Sequence, residues 1–184
     1  EERIDRYFNI AVTYETKMLD GDQSFDWYGR AYMVDPTRER AALELDRLAD
    51  ALGEWPKYVE LLQQVLTLAE EKEIQLAVGK KMARILEENM MDPDRAREVY
   101  NYLVGIDSTD TEVLEPLDRL LTATLDFEPL ATVLEYRIAA EEDDEEKVEL
   151  LTRYGQILKD ELGRLDDAVT AYRRIVDGLQ VPHP

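Results

Sequence analysis

The chain has 184 residues, 45% of them apolar, and sets 42 acidic side chains against 22 basic ones, a formal net charge of −20. It has no cysteine, and its one histidine is His183 beside the C-terminal residue, which excludes disulfides, thiolate nucleophiles, iron–sulfur clusters, Cys- or His-ligated metals and Ser-His-Asp triads. The acidic excess would repel phosphate backbones and anionic lipid alike, yet apolar residues are too frequent and too evenly spread for a disordered acidic tract.

Apolar spacing is helical, as in Tyr58, Leu61, Leu62, Val65 and Ala69, or Val148, Leu151, Tyr154, Leu158 and Leu162; neither stretch alternates as a strand would. A first helix is predicted near 3–19, stopped by Asp20-Gly21-Asp22, and a second near 23–34, stopped by Asp35-Pro36-Thr37. The third, near 38–52, meets Gly53-Glu54-Trp55-Pro56 before a fourth at 56–70. The fifth, 73–89, stops at Asp92-Pro93-Asp94, and the sixth, 94–106, at Asp107-Ser108-Thr109-Asp110. The seventh, 111–124, contains Pro116, which predicts a late start or a kink. Asp126-Phe127-Glu128-Pro129 then opens an eighth at 128–141. A ninth at 144–162 ends at Gly163-Arg164 and a tenth covers 166–179, leaving 181–184 as a tail or linker. Each break combines a helix stop with a cap or a start.

The sequence also matches itself at a shift of 72 residues without a gap. Leu45-Asp46-Arg47-Leu48 falls on Leu117-Asp118-Arg119-Leu120, Asp35 and Thr37 on Asp107 and Thr109, Trp55 on Phe127, and Tyr100 on Tyr172. The helices therefore pair into about five antiparallel hairpins, 3–34, 38–70, 73–106, 111–141 and 144–179, of two alternating types. A single such hairpin cannot bury its apolar stripe, so stacking on neighbours must supply the stability of one all-α array over 1–180.

The first, third and fifth hairpins resemble tetratricopeptide repeats. A large and a small residue adjoin in the first helix at Ile10-Ala11, Met82-Ala83 and Tyr154-Gly155. In the second helix a small residue precedes an aromatic by one turn at Ala96 and Tyr100, at Ala168 and Tyr172, and more weakly at Ser24 and Tyr28. The second and fourth hairpins depart from the pattern, with Leu45-Asp46 and Leu117-Asp118 at the large–small place and with Trp55 and Phe127 opening the second helix. The resemblance, closest in style to long bacterial proteins of this family, implies a right-handed α-solenoid. Its packing residues would be Ala11, Ala83, Gly155, Ala96, Ala168, Tyr28, Tyr100, Tyr172, Trp55 and Phe127.

Chemistry is scarce. The run Glu141-Glu142-Asp143-Asp144-Glu145-Glu146 reads as solvated charge capping a helix start. Asp20-Gly21-Asp22-Gln23-Ser24 opens like a calcium loop, but Phe25 takes the glycine place and Ala31 the bidentate glutamate place. The glycines are scattered singly, so there is no phosphate loop. No cofactor, no metal and no enzymatic activity are expected. The tyrosines fit core packing at helical spacing, with Trp27 and Tyr102 off the buried stripes.

One constellation follows from the resemblance. In that family the first helix of each hairpin lines a concave groove, and the residues two past the large member of the packing pair face it. Here these are Val12, Arg47, Arg84, Arg119 and Gln156, with Lys80 one turn from Arg84. Three arginines in a groove would favour an acidic peptide, since guanidinium grips carboxylate bidentately. Equally, Asp46, Asp50, Glu87, Glu88 and Asp118 could neutralise them.

The reading that results is a non-enzymatic interaction module with a protein or peptide partner. An acidic peptide would lie in the groove, or a basic partner on the acidic outer face. The rival is an architectural spacer in a longer solenoid, self-associating through terminal hairpins. Neither nucleic acid nor membrane insertion is expected, since no stretch reaches the roughly 18 apolar residues of a span. The absence of a leader in this sequence points to the cytoplasm. The start at Glu1-Glu2-Arg3 points to a segment of a larger protein.

Overall fold

The computed structural model describes residues 1–178, and among them it is all-α. The helices are α1 (Glu2–Thr13, running on into a π-helical turn Tyr14–Met18), α2 (Gly21–Val34), α3 (Glu39–Leu52), α4 (Trp55–Leu68) and α5 (Lys72–Glu88). They continue with α6 (Pro93–Ile106), α7 (Thr111–Thr124), α8 (Phe127–Ala140), α9 (Asp144–Gln156, with a π-helical turn Ile157–Glu161) and α10 (Leu165–Gly178). All ten expected helices are present among the described residues, with the described ends displaced by two residues at most; the expected end of the tenth, at 179, lies outside them. The expected tail at 181–184 and His183 lie outside the described residues.

Pro116 does not delay α7. Asp110 caps the helix by accepting the Glu112 N–H at 3.0 Å, and its carbonyl accepts those of Val113 and Leu114 at 3.0 Å each. The first turn is thus closed before proline is reached, and only one backbone donor is missing.

The helices gather into two compact units, Glu1–Val99 and Tyr100 onward. In the first, α1 packs on α2, α2 on α3 and more lightly on α4, and α4 on both α3 and α5. Its core holds Phe8, Phe25, Tyr28, Tyr32, Leu45, Tyr58 and Leu62, all buried. Rings meet edge to face at 5.4 Å between Phe8 and Tyr28 and at 5.9 Å between Phe25 and Tyr58, the arrangement that ring quadrupoles favour. In the second unit α7 packs on α8, α8 on α9, and α9 on α10, around buried Leu114, Leu117, Leu121, Leu130, Leu134 and Leu158.

The repeat is written into the backbone. Among the described residues positive φ occurs at Leu19 (55°), Gly53 (72°), Met91 (52°), Leu125 (56°) and Gly163 (67°), so each recurs at the 72-residue shift. Each follows the first helix of a hairpin. After Leu19, Met91 and Gly163 the next amide reaches six residues back, Asp20 to the Tyr14 carbonyl (3.1 Å), Asp92 to Leu86 (2.8 Å) and Arg164 to Leu158 (2.7 Å). After Gly53 and Leu125 it reaches five back, Glu54 to Ala49 (2.9 Å) and Asp126 to Leu121 (3.0 Å). Two different C-terminal turns alternate, which is the local origin of the two hairpin types.

Of the expected packing residues, Ala11, Ala83, Ala96, Ala168, Tyr28, Tyr100 and Gly155 are buried, while Tyr172, Trp55 and Phe127 are half-buried. At Gly155 a Cβ would lie 2.7 Å from two atoms of the Tyr172 ring. The approach of α10 to α9 at this point needs a residue without a side chain.

Candidate partner-binding surface

In the first unit Arg47 projects from α3 and is already committed. Its Nη2 donates to both carboxylate oxygens of Glu15, at 2.7 and 2.8 Å, and its Nε to Glu44 at 2.9 Å. Burial tends to lower its pKa, but the bonds from Glu44 and Glu15 outweigh that and hold it above the usual arginine value. Glu15 belongs to the preceding hairpin, so the ion pair ties the two together, and neither glutamate was among the neutralising acids expected from sequence.

Arg84, on α5, differs. It is exposed and has no hydrogen bond or ion pair among the described residues. It borders an open cleft of about 270 Å³ with Asp46, Trp55, Lys81, Glu88 and Asn89. Lys81 donates to Asp46 at 2.7 Å and stands 5.5 Å from the Tyr58 ring. Trp55 lies nearly parallel to Tyr58, centroids 6.4 Å apart and planes at 21°. The cleft thus offers a free guanidinium beside a half-buried indole, a pairing suited to a carboxylate-bearing peptide with an apolar neighbour. Lys80 on the same helix is half-buried and, like Arg119 in the second unit, already engages a partner. Val12 and Gln156 are exposed.

In the second unit the dominant polar feature centres on Asp118, one of the neutralising acids expected from sequence, but its partners are Arg137 and Arg153, which that reading did not name. Asp118 on α7 is 2% exposed. It accepts from Arg153 of α9 at 2.8 Å (Nη1 to Oδ2) and 2.6 Å (Nη2 to Oδ1), and from Arg137 of α8. Arg153 Nη2 also donates to Thr122 Oγ1 at 2.6 Å. Burial pushes the Asp118 carboxyl up, but the bonds from Arg153 and Arg137 outweigh it and hold the group below its ordinary value. The 72-residue shift carries Asp46 onto Asp118 and Lys81 onto Arg153, so the same acid–base strut recurs in both units; that correspondence was the available signal.

The acidic run behaves as capping charge. Glu141 accepts the amides of Glu142 (2.9 Å) and Asp143 (3.0 Å), and Asp143 those of Glu145 (2.9 Å) and Glu146 (3.0 Å) at the start of α9. Trp27 is half-buried between Tyr7, 5.6 Å away, and the Arg30 guanidinium 4.3 Å above its ring. Tyr102 is 50% exposed. No helix among the described residues is long and apolar enough to cross a membrane.

No protein-family model and no curated protein matches the sequence. Solved structures do. The chain is similar to a MamA protein over 99% of both chains at 14% identity, with a TM-score of 0.49. A second MamA structure, from AMB-1, covers 96% of this chain and 92% of its own at 13% identity and a TM-score of 0.49. PilF of Pseudomonas aeruginosa aligns over 95% of this chain and 77% of its own at 14% identity, with a TM-score of 0.50. PilF is a tetratricopeptide-repeat protein, and its likeness, together with ten helices and the alternating turns, gives the fold. The chain has the all-α, tetratricopeptide-like helical-repeat fold.

Proposed function

We propose that this chain is a non-enzymatic protein-interaction module whose first unit takes an acidic peptide at the cleft between Arg84 and Trp55. The observation that carries the reading is the contrast between two arginines expected to be equivalent. Arg47 is spent on Glu15 and Glu44, whereas Arg84 is left without a partner beside an aromatic wall. In a chain of net charge −20, an exposed cation that pairs with no acid among the described residues is available to someone else's.

Fluorescence polarisation with a labelled acidic peptide, set against the same peptide carrying Gln and Asn in place of Glu and Asp, tests the reading. Binding should favour the acidic peptide, weaken about tenfold or more in Arg84→Ala, as expected for loss of a charge-assisted hydrogen bond of about 1.5–3 kcal/mol, and change little in Arg47→Ala. Equal binding by wild type, Arg84→Ala and Trp55→Ala, all with intact helical circular dichroism, would exclude this cleft as the peptide site.

A further inference from the structure

At the edge of the first unit, where one hairpin turns into the next, lies an open cleft of about 260 Å³. Met33 and Val34 at the end of α2, Val65 and Leu68 at the end of α4, and Ile74 in the first turn of α5 line it. Val65 is its buried floor, 4% exposed, whereas Met33, Val34 and Leu68 are 41%, 43% and 69% exposed. Three consecutive hairpins build this cleft, and their stacking contacts, α2 on α3 and α4 and α4 on α5, are already made around it. A further hairpin extends such an array at its end, not at the edge where the loops 35–38 and 69–71 turn.

The fold does not require apolar residues at these places. At the shift of 72, Met33, Val34, Val65, Leu68 and Ile74 become Gly105, Ile106, Arg137, Ala140 and Glu146 in the second unit, and Arg137 is spent on Asp118. Only Val34, copied as Ile106, keeps a large aliphatic group. The same helices form with alanine in the place of Leu68 and glutamate in that of Ile74, so the exposed apolar surface of the first unit serves something other than the repeat.

The carboxylates differ in the same sense. Asp35 and Glu71 line the cleft and no cation does. Asp35 is tied to Thr37 and Arg38. Glu71 stands at the N-cap of α5, yet its side chain bonds none of that helix's amides; it is exposed and pairs with no cation among the described residues. Its copy Asp143 accepts the amides of Glu145 and Glu146 at 2.9 and 3.0 Å. One acid is used up by its own helix, while the longer glutamate is left over beside the C-terminal ends of α2 and α4, whose dipoles add partial negative charge. The cleft's volume of about 260 Å³ falls under the roughly 300–1,000 Å³ of small-molecule sites and suits one anchoring side chain.

From the apolar cleft, the unpaired acid at its rim and the polar copy of both in the second unit, we infer that this edge of the first unit docks a basic segment of a partner protein. The segment inserts one large apolar side chain among Met33, Leu68 and Ile74 and sets a Lys or Arg on Glu71. A second copy of this chain is a poor occupant, because it brings the same excess of twenty negative charges. The site goes beyond the Arg84 cleft, is opposite to it in charge preference, and does not depend on it.

Displayed random 12-residue peptides are panned against the full chain and, in parallel, against Leu68→Ala/Ile74→Glu, whose two new residues are those the second unit carries at these places. Peptides enriched on the wild type alone should combine Leu, Phe or Trp with a Lys or Arg a few residues away. In fluorescence polarisation they should bind the double variant at least tenfold more weakly, with its helical circular dichroism intact. Glu71→Lys, an exposed change that leaves the apolar cleft in place, should weaken them several-fold, and changing the peptide's Lys or Arg to Glu should restore binding to it. Arg84→Ala should leave affinity unchanged. Should the double variant lose its helices, Glu71→Lys decides alone. Absence of peptides specific to the wild type, enrichment without basic bias, or equal binding by wild type and Glu71→Lys would overturn the proposal. So would sedimentation in which the wild type dimerises and the double variant stays monomeric, because the occupant would then be a second copy.

Discussion

Asp118 and Arg153 lie 35 residues apart in sequence and are joined by two hydrogen bonds of 2.8 and 2.6 Å; Asp46 and Lys81, also 35 apart, are joined by one of 2.7 Å. The same strut links the first helix of one hairpin to that of the next in each unit, but its environment differs. The Asp118 side chain is 3% exposed and holds two guanidinium groups, whereas that of Asp46 is 38% exposed and holds one ammonium. Removing the buried acid leaves two arginines facing each other without a counter-charge. Asp118→Ala should therefore lower unfolding stability by about 3 kcal/mol, the low end for a broken buried pair because both arginines reach solvent. Asp46→Ala should cost less than about 1 kcal/mol. Urea denaturation followed by circular dichroism compares the two, and equal losses would show that burial does not set the strength of the strut.

The same carboxylate gives a pH dependence. Its folded-state pKa lies below the ordinary 3.8, so across that range the unfolded chain binds more protons than the folded one, and stability rises with pH. The contribution is complete above the unfolded value and is lost as pH falls through the folded one. The stability difference between wild type and Asp118→Asn should be constant above about pH 5 and should shrink as pH drops below the ordinary carboxylate range. A difference that grew on acidification would mean that burial, not the arginines, controls the group.

Much of the fold was legible because it is local. Asp20-Gly21, Asp35-Pro36-Thr37 and Asp110 stop or cap helices through contacts within three residues: Asp20 accepts from the Gln23 amide, Asp35 from that of Thr37, Asp110 from that of Glu112. Such pairs can be read directly along the chain. Arg47 could not be read this way. Its carboxylate partner Glu15 is 32 residues away, on a helix whose rotation relative to α3 depends on packing, and a list of nearby acids names others first. Arg84 stands at the same place in its own helix and finds none, and no sequence pattern distinguishes the two. The strut at Asp118 was half visible, since the repeat aligns an acid with an acid and a lysine with an arginine. What it hid was Arg137, whose counterpart one period earlier is Val65, buried in an apolar setting.

The alternating turns offer a direct check. Leu19, Met91 and Leu125 hold positive φ at 86%, 78% and 67% exposure, so their side chains contribute little burial while the backbone bears the left-handed cost. At the equivalent places Gly53 and Gly163 meet nothing within 4 Å that would oppose a Cβ, so only conformation distinguishes the two sets. Met91→Gly should raise stability by about 1 kcal/mol, and Gly163→Ala should lower it by about as much. Opposite signs in thermal or urea unfolding are the expected result. Loss of stability in Met91→Gly would mean that the exposed methionine contributes packing outweighing its strained backbone.

The last relationship is steric. Gly155 sits inside α9, where glycine costs about 1 kcal/mol relative to alanine, yet the place is filled by Ala11 and Ala83 in the corresponding helices. The reason is the Tyr172 ring, two of whose atoms lie 2.7 Å from where a Cβ would stand. Gly155→Ala should gain helix propensity but lose more by forcing the ring outward, with overpacking costing about 1–3 kcal/mol. In a Tyr172→Leu background the obstruction is removed, and the same substitution should become neutral or stabilising. A double-mutant cycle by urea unfolding measures the coupling. If Gly155→Ala stabilises the wild type as much as the Tyr172→Leu variant, then α10 is free to move away from α9 and the close approach of the two helices is not a constraint on the fold.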